Sequence, residues 1–229
     1  MSDPIAVILA AGQSRRFVEA GYSLPKPFLT IQDQDGKRGQ MVDFVVNSLP
    51  DTMKIFIAIP ATYLYAPQRD VQNVHISRTY GQADTAYQVV SHLPKDRRVI
   101  VLDCDMVLQP RDVKNIIELT RLFETVTAVT PTFDPNASRV DSVPFPTRWA
   151  EKEPISSWGI VGARAFRNAG RLTTALRHVL EMPGAPGEPY LSTAMNHYLS
   201  FGQNFAYEVS QFKDWGTPER IAASGAKII

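Results

Sequence analysis

Cysteine is almost missing from this sequence: Cys104 is the only one in 229 residues. One thiol closes no disulfide and builds no cysteine-based zinc site, which points to a reducing compartment. Histidine is scarce too, and His75, His92, His178 and His197 show neither HxxxH nor HExxH spacing. Without a GxSxG elbow either, a histidine-driven hydrolase is disfavoured. Net charge is nearly absent, at +1 from 24 Lys and Arg against 23 Asp and Glu. No broad basic face is on offer to nucleic acid, and any basic chemistry must be local. No apolar run reaches the roughly 18 residues that span a bilayer, and no basic segment precedes the first such run. A cytoplasmic protein with neither nucleic-acid binding nor membrane insertion is expected.

What is present is enough apolar residue, 44%, to build a full core in a chain of this length. Residues 5–11 (IAVILAA) form a continuous β-branched and apolar run, the pattern of a strand buried on both faces. Similar runs recur at 54–59, 99–103 and 125–130, and helical periodicity fills 41–49, 83–93 and 111–123 between them. Alternating β and α segments predict an α/β fold: a mixed, mainly parallel sheet with helices on both faces, in three α/β/α layers. Beyond about residue 133 the chain is richer in turn formers, with strands expected at 147–151, 158–163 and 204–209. Helices are expected at 169–181 and 190–201 and from Thr217 onward, with a proline-rich loop after the first of them. A single domain over 1–229 is expected, with an added substrate lobe from about residue 133, where the pattern changes.

In such sheets ligands bind beyond the carboxyl ends of the strands. After the first strand comes Gly12-Gln13-Ser14-Arg15-Arg16-Phe17, where backbone N–H groups and guanidinium can wrap phosphate, although it is neither a P-loop nor GxGxxG. Lys26 lies between Pro25 and Pro27, which restrict its backbone towards extended geometry and suit a lysine aimed at a fixed anion. The run at 99–105 ends in Asp103-Cys104-Asp105, two carboxylates where a divalent cation and its phosphate ligand would stand. Between those carboxylates Cys104 is a poor nucleophile, since their charge raises its thiol pKa, and it reads as a packing residue.

Taken in order, LAAGQSRRF (9–17), PKPF (25–28), LDCD (102–105), AEKEPIS (150–156), GEPY (187–190) and DWGTPE (214–219) resemble the signature segments of the sugar-1-phosphate nucleotidyltransferases. The usual forms of those segments are LAAGxGTRL, PKPL, a strand ending in Asp, EKP, a GEYY-like segment and DIGTPE. The likeness runs from Ile5 to about Ala223 and looks closest to the short capsule and surface-polysaccharide members. It implies a Rossmann-like, GT-A-like sandwich that joins an NTP to a sugar 1-phosphate, or a similar small phosphorylated metabolite, and releases pyrophosphate. CTP, UTP or dTTP is the favoured donor, Mg²⁺ the cofactor, and a monomer or small homo-oligomer the expected state.

By position the resemblance puts Leu9, Ala10, Ala11, Gly12, Gln13, Ser14 and Arg15 on the nucleotide, with Gly81, Gln82, Ala83 and Thr85 near its base. Arg16, Lys26 and Lys152 become catalytic cations, and Asp105 and Asp214 the metal ligands. Asp103, Glu151, Lys152, Gly162 and Glu188 fall on the sugar-phosphate side. The residue types suit the chemistry, because an already anionic phosphate nucleophile needs positioning and charge neutralisation and no general base. The chain departs from the pattern at Ser14 and Arg15, whose SRR arrangement is also similar to molybdenum-cofactor nucleotidyltransferases, and at Glu153, which displaces the EKP proline. Alternatives are a GT-A-type glycosyltransferase using Asp103 and Asp105 as a DxD-like metal site, or a catalytically silent nucleotide-sugar-binding protein.

Overall fold

The computed structural model describes residues 3–66, 69–182 and 188–229. The first two residues and most of the proline-rich loop, 183–187, lie outside the described residues. The first apolar run is strand β1 (Ile5–Leu9), followed by α1 (Arg15–Glu19), β2 (Thr30–Gln32), β3 (Arg38–Gln40), α2 (Met41–Asn47), β4 (Lys54–Pro60) and β5 (Val71–Ile76). Next come α3 (Gln82–Val90), β6 (Val99–Asp103), β7 (Met106–Leu108), α4 (Pro110–Leu119) and β8 (Thr125–Pro131). The remainder comprises β9 (Arg139–Val140), β10 (Trp149–Ala150), β11 (Trp158–Phe166), α5 (Ala169–Glu181), α6 (Leu191–Tyr198), β12 (Asn204–Glu208), β13 (Phe212–Asp214), α7 (Pro218–Ala223) and β14 (Lys227–Ile228).

The main sheet runs β5, β4, β1, β6, β11, β8, β12, with β11 alone antiparallel to its neighbours. It is the mixed, mainly parallel sheet expected. The N-terminal half of β11 also pairs with β9, and β9 with β10, so the sheet continues past the end of β6. Alternation along β1 makes the layers: Ile5, Val7 and Leu9 face a core shared with α3, α5 and α6, while Ala6 and Ile8 face one shared with α2 and α4. Both faces are covered, which is why the run is apolar throughout. Each fully buried Val, Leu or Ile contributes roughly 1.5–3 kcal/mol of transfer free energy. A smaller core gathers Phe17, Ile31, Phe44, Trp215 and Ile221 beneath the antiparallel sheet β14, β2, β3.

Local signals set several helix starts. Asn168 caps α5 by accepting from the Arg171 N–H at 2.9 Å, and Ala169, Leu172, Leu176 and Val179 form its buried stripe. Thr217 caps α7 in the same way, with Pro218 in the first turn, as the start at Thr217 predicts. Four expectations are corrected. The strand expected over 5–11 stops at Leu9, the loop expected at 12–17 closes into α1, and the strand expected to end at 163 runs on through Arg164 to Phe166. The strand expected over 147–151 shrinks to β10. Among the described residues no helix is long and apolar enough to cross a membrane.

Candidate active site

Two adjoining cavities, of about 660 and 530 Å³, open beyond the carboxyl ends of β1 and β6. They share Gln82, Asp103, Asp105 and Met106, so the two aspartates stand at the seam.

The first cavity is built on the turn between β1 and α1. Leu9, Ala11, Gly12, Gln13, Ser14 and Arg15 line it. The backbone N–H groups of residues 11–14 donate to no acceptor among the described residues. Successive free amides of this kind make an anion-binding concavity. Ser14 turns the chain with φ 54°, the left-handed region, and its Oγ accepts the backbone N–H of Lys26 at 2.9 Å. The turn and the lysine are thereby tied together. Lys26 departs from the extended geometry its prolines predict: it opens a single 3₁₀ turn closed by Phe28 N–H to the Pro25 carbonyl at 2.9 Å. Its Nζ donates to Asp105 Oδ2 at 2.5 Å. Burial pulls the lysine pKa down, but Asp105, helped by Cys104 and Asp103, outweighs it and holds the group above its ordinary value. Gly81, Gln82 and Thr85, at the start of α3, line the opposite wall. Gly81 is required there, because at φ 155° a Cβ would stand 2.3 Å from Glu188 Cγ.

At the seam Asp103 ends β6 and accepts from Gln82 Nε2 at 3.2 Å, with Arg164 Nη1 at 3.6 Å from its other oxygen. Burial pushes its pKa up to about 6; Arg164 opposes that shift and Asp105 adds to it. Cys104 packs into the α2/α4 core with its thiol pushed up to about 12. Burial is the main cause, and the neighbouring carboxylates, expected to dominate, contribute less.

The partner of Asp105 arrives from far along the chain. Strand β13 pairs antiparallel with β7, setting Asp214 opposite Met106, and Trp215 N–H donates to the Asp105 carbonyl at 2.9 Å. Both carboxylates border Gly216, where a Cβ would lie 3.1 Å from Asp214 Oδ1 and 3.3 Å from Asp105 Oδ2. Asp214 is steadied by Gly216 N–H at 2.9 Å and Arg220 Nη1 at 2.6 Å. Two converging carboxylates with phosphate space beside them fit a hard divalent cation. Among the described residues no three His, Cys, Asp or Glu cluster to hold a metal alone, so phosphate oxygens and water would complete such a set.

The second cavity takes in Glu151, Lys152, Gly162, Asp214 and Arg16. Lys152 has φ 54°, and its Nζ donates to the Tyr190 hydroxyl at 3.1 Å. That hydrogen bond is the chief cause of its raised pKa. Glu151 accepts from the hydroxyls of Ser138 and Ser192, the latter at 3.1 Å. Gly162 sits at a register shift in β11 with φ 35°, leaving room for Met106 and Asp103.

Most residues named from the sequence thus come together, with four differences of place. Arg16 faces the second cavity rather than the first, and Glu188 the first rather than the second. Ala10 and Ala83 are wholly buried in the two cores and line neither. Sequence reasoning missed Arg164, Asp134, Ser138 and Arg220, which line the second cavity, and Thr79 and Tyr80 in the first. None belongs to a motif; Arg220, one residue past DWGTPE, had the nearest signal.

Comparison with curated proteins finds no match. Solved structures do match in fold. A nucleoside-diphosphate-sugar pyrophosphorylase from Vibrio cholerae RC9 superposes with a TM-score of 0.77 at 19% identity, covering 95% of this chain and 98% of that one. A UDP-glucose pyrophosphorylase complexed with UDP-glucose gives 0.76 at 13% identity, covering 98% and 97%. A UTP-bound UGPase from Acinetobacter baumannii gives 0.75 at 16%, covering 98% and 92%. The MobA-like NTP transferase domain matches residues 6–202. That span carries the amide-lined turn, Lys26 and the seam aspartates, and by it the chain belongs to the MobA-like NTP transferase domain family and is a nucleotidyltransferase.

Proposed function

We propose that this nucleotidyltransferase is Mg²⁺-dependent and joins an NTP, with CTP, UTP or dTTP favoured, to a sugar 1-phosphate or similar small phosphorylated metabolite. The observation that carries the reading is the meeting of two cavities at Asp103 and Asp105, with Asp214 beside Asp105. A donor in one cavity and an acceptor in the other put the reacting phosphates at the seam. An acceptor phosphate oxygen attacks the α-phosphorus, and the bond to the leaving pyrophosphate breaks.

In this reading the free amides at 11–14, Arg15 and Lys26 hold the triphosphate. Lys152 and Arg16 neutralise the acceptor phosphate from the second cavity, while Glu151 and Gly162 border the sugar. Asp105 and Asp214 would hold Mg²⁺, which supplies charge neutralisation on the transferring phosphates when bound. The reading assigns nucleotide binding to the half up to about 132 and sugar-phosphate binding to the half from about 133, supported by a first cavity drawn from the earlier half except for Glu188 and a second drawn mostly from the later half. The similar structures bound to UTP and to UDP-glucose support nucleotide and sugar sites in this fold. The reading places the enzyme in cytoplasmic nucleotide-sugar supply for polysaccharide synthesis.

The test is a melting-temperature panel with Mg²⁺ and ATP, GTP, CTP, UTP or dTTP beside the matching diphosphates, because a ligand of the native state alone raises apparent stability. One triphosphate should stabilise selectively and release pyrophosphate with a phosphorylated acceptor. Stabilisation by a diphosphate alone would replace this reading with glycosyl transfer, and silence towards every nucleotide would refute both.

A further inference from the structure

One cation of the second cavity takes no part in the chemistry above. Arg164 stands in β11 between Val101 of β6 and Thr127 of β8 and is 3% exposed. Arg164 is among the residues lining the cavity, and its buried Nε and Nη1 find no acceptor among the described residues. Asp103 Oδ2 is 3.6 Å from Nη1, which is charge compensation without a hydrogen bond. Two other buried arginines differ at their terminal nitrogens, although Arg139 Nε also lacks an acceptor among the described residues. Arg98 donates to the Ile117 carbonyl at 3.2 Å, and both terminal nitrogens of Arg139 are tied to carbonyls of Thr132, Ser156 and Asp134. Those two brace the backbone and line neither cavity of the site.

A guanidinium offers five N–H donors in a rigid planar fork. Burying it with donors unused is costly, and such a group beside a cavity is suited to an anionic ligand. The fork matches the paired oxygens of a carboxylate or phosphate better than any single hydroxyl. Asp103, held by Gln82 from the other side, keeps the charge tolerable without filling the fork.

We infer that Arg164 is a receptor for an oxyanion of the acceptor, either the phosphate that attacks or a second acid group on the same molecule. The identity of the occupant as acceptor rests on the nucleotidyl-transfer reading; the oxyanion receptor itself rests on the orphaned fork. Arg164 thereby selects acceptors by charge, at a position separate from Lys152.

The experiment titrates wild type, Arg164→Met and Arg164→Lys with inorganic phosphate, glucose 1-phosphate and glucuronic acid 1-phosphate, followed by melting temperature and calorimetry. UTP and CTP are titrated in parallel with Mg²⁺. Wild type should bind at least one of the three anions, and Arg164→Met should bind it about tenfold or more weakly, with its nucleotide response retained. If phosphate and glucose 1-phosphate are weakened, the fork holds the attacking phosphate; if only the glucuronic acid ester is, it holds a second acid group. Arg164→Lys keeps the charge and loses the fork, so about tenfold weakening there tests the same idea should the Met variant not fold. Equal affinity in wild type and a folded variant overturns the inference, as does a wild type that binds none of the three anions. Nucleotide silence with Arg164-dependent anion binding would instead refute the nucleotidyl-transfer reading and leave the receptor standing.

Discussion

Gly162→Ala should damage stability and turnover together, by amounts the structure allows to be worked out. A methyl group there would lie 2.5 Å from Met106 Cγ and 2.7 Å from Met106 Cβ. Carbon atoms rest about 3.5–4.0 Å apart, so the overlap is about 1 Å, and although Cγ can rotate, Met106 Cβ is fixed to the backbone and cannot swing away. Alanine at φ 35° adds about 1–2 kcal/mol of left-handed strain, and overpacking of this kind adds about 1–3 kcal/mol. A total of about 2–5 kcal/mol lowers the melting temperature of a chain this size by about 4–20 °C. The relief available is for β7 to shift away from β11, carrying the Asp105 turn with it, and a misplacement of about 1 Å at a reacting centre costs on the order of a hundredfold in rate. Urea unfolding followed by tryptophan fluorescence reads the first quantity, and kcat/KM from pyrophosphate release the second. Gly12→Ala is the control, since nothing lies within 4 Å of its Cβ and its stability should stay within about 0.5 kcal/mol of wild type. A Gly162→Ala protein with wild-type unfolding and wild-type kcat/KM would refute the reasoning.

Asp105→Asn and Asp214→Asn should each abolish Mg²⁺-dependent turnover while circular dichroism shows an intact fold; wild-type rates in both would remove the metal assignment. Lys152→Ala should mainly raise the KM for the phosphorylated acceptor and spare nucleotide binding, and unchanged acceptor kinetics would take that lysine out of the site. Acid stability should depend on Asp33: burial alone would raise its pKa, but the Lys213 ammonium at 2.9 Å and the N–H groups of Lys37 and Asp35 outweigh burial and hold it below 3.8. A depressed carboxylate stabilises fully above its unfolded pKa and loses that stabilisation as pH falls through the folded one. Asp33→Asn should therefore flatten the decline of the urea midpoint below about pH 4, and superimposable acid curves would contradict this.

The parallel strands and the larger helices are legible in the sequence because their signals are local. Val7 and Ile8 face opposite cores, so the run around them is apolar without interruption, and α5 shows its stripe at helical spacing. Elements that exist only through distant pairing are not legible. Three residues of β7 and three of β13 carry no periodicity, yet their ladder brings Asp214 to Asp105. Strand β5 lies at the sheet edge with mostly polar or half-exposed residues and gives no continuous apolar run to read. Ser14 hid α1 because its left-handed backbone starts the helix without a side-chain cap bond. Arg164 was missed for an energetic reason: an arginine in an apolar run looks like the end of a strand, since burying its charge is costly. The strand continues past it because Asp103 offsets that cost.

On the metal assignment proposed above, the ladder between β7 and β13 also sets when this molecule becomes competent. Asp214 leaves the ribosome more than a hundred residues after Asp105, so a nascent chain exposes its amide-lined turn and Lys26 long before the second carboxylate exists. On that assignment the means to transfer a nucleotide arrive in one late step, when β13 folds back against β7.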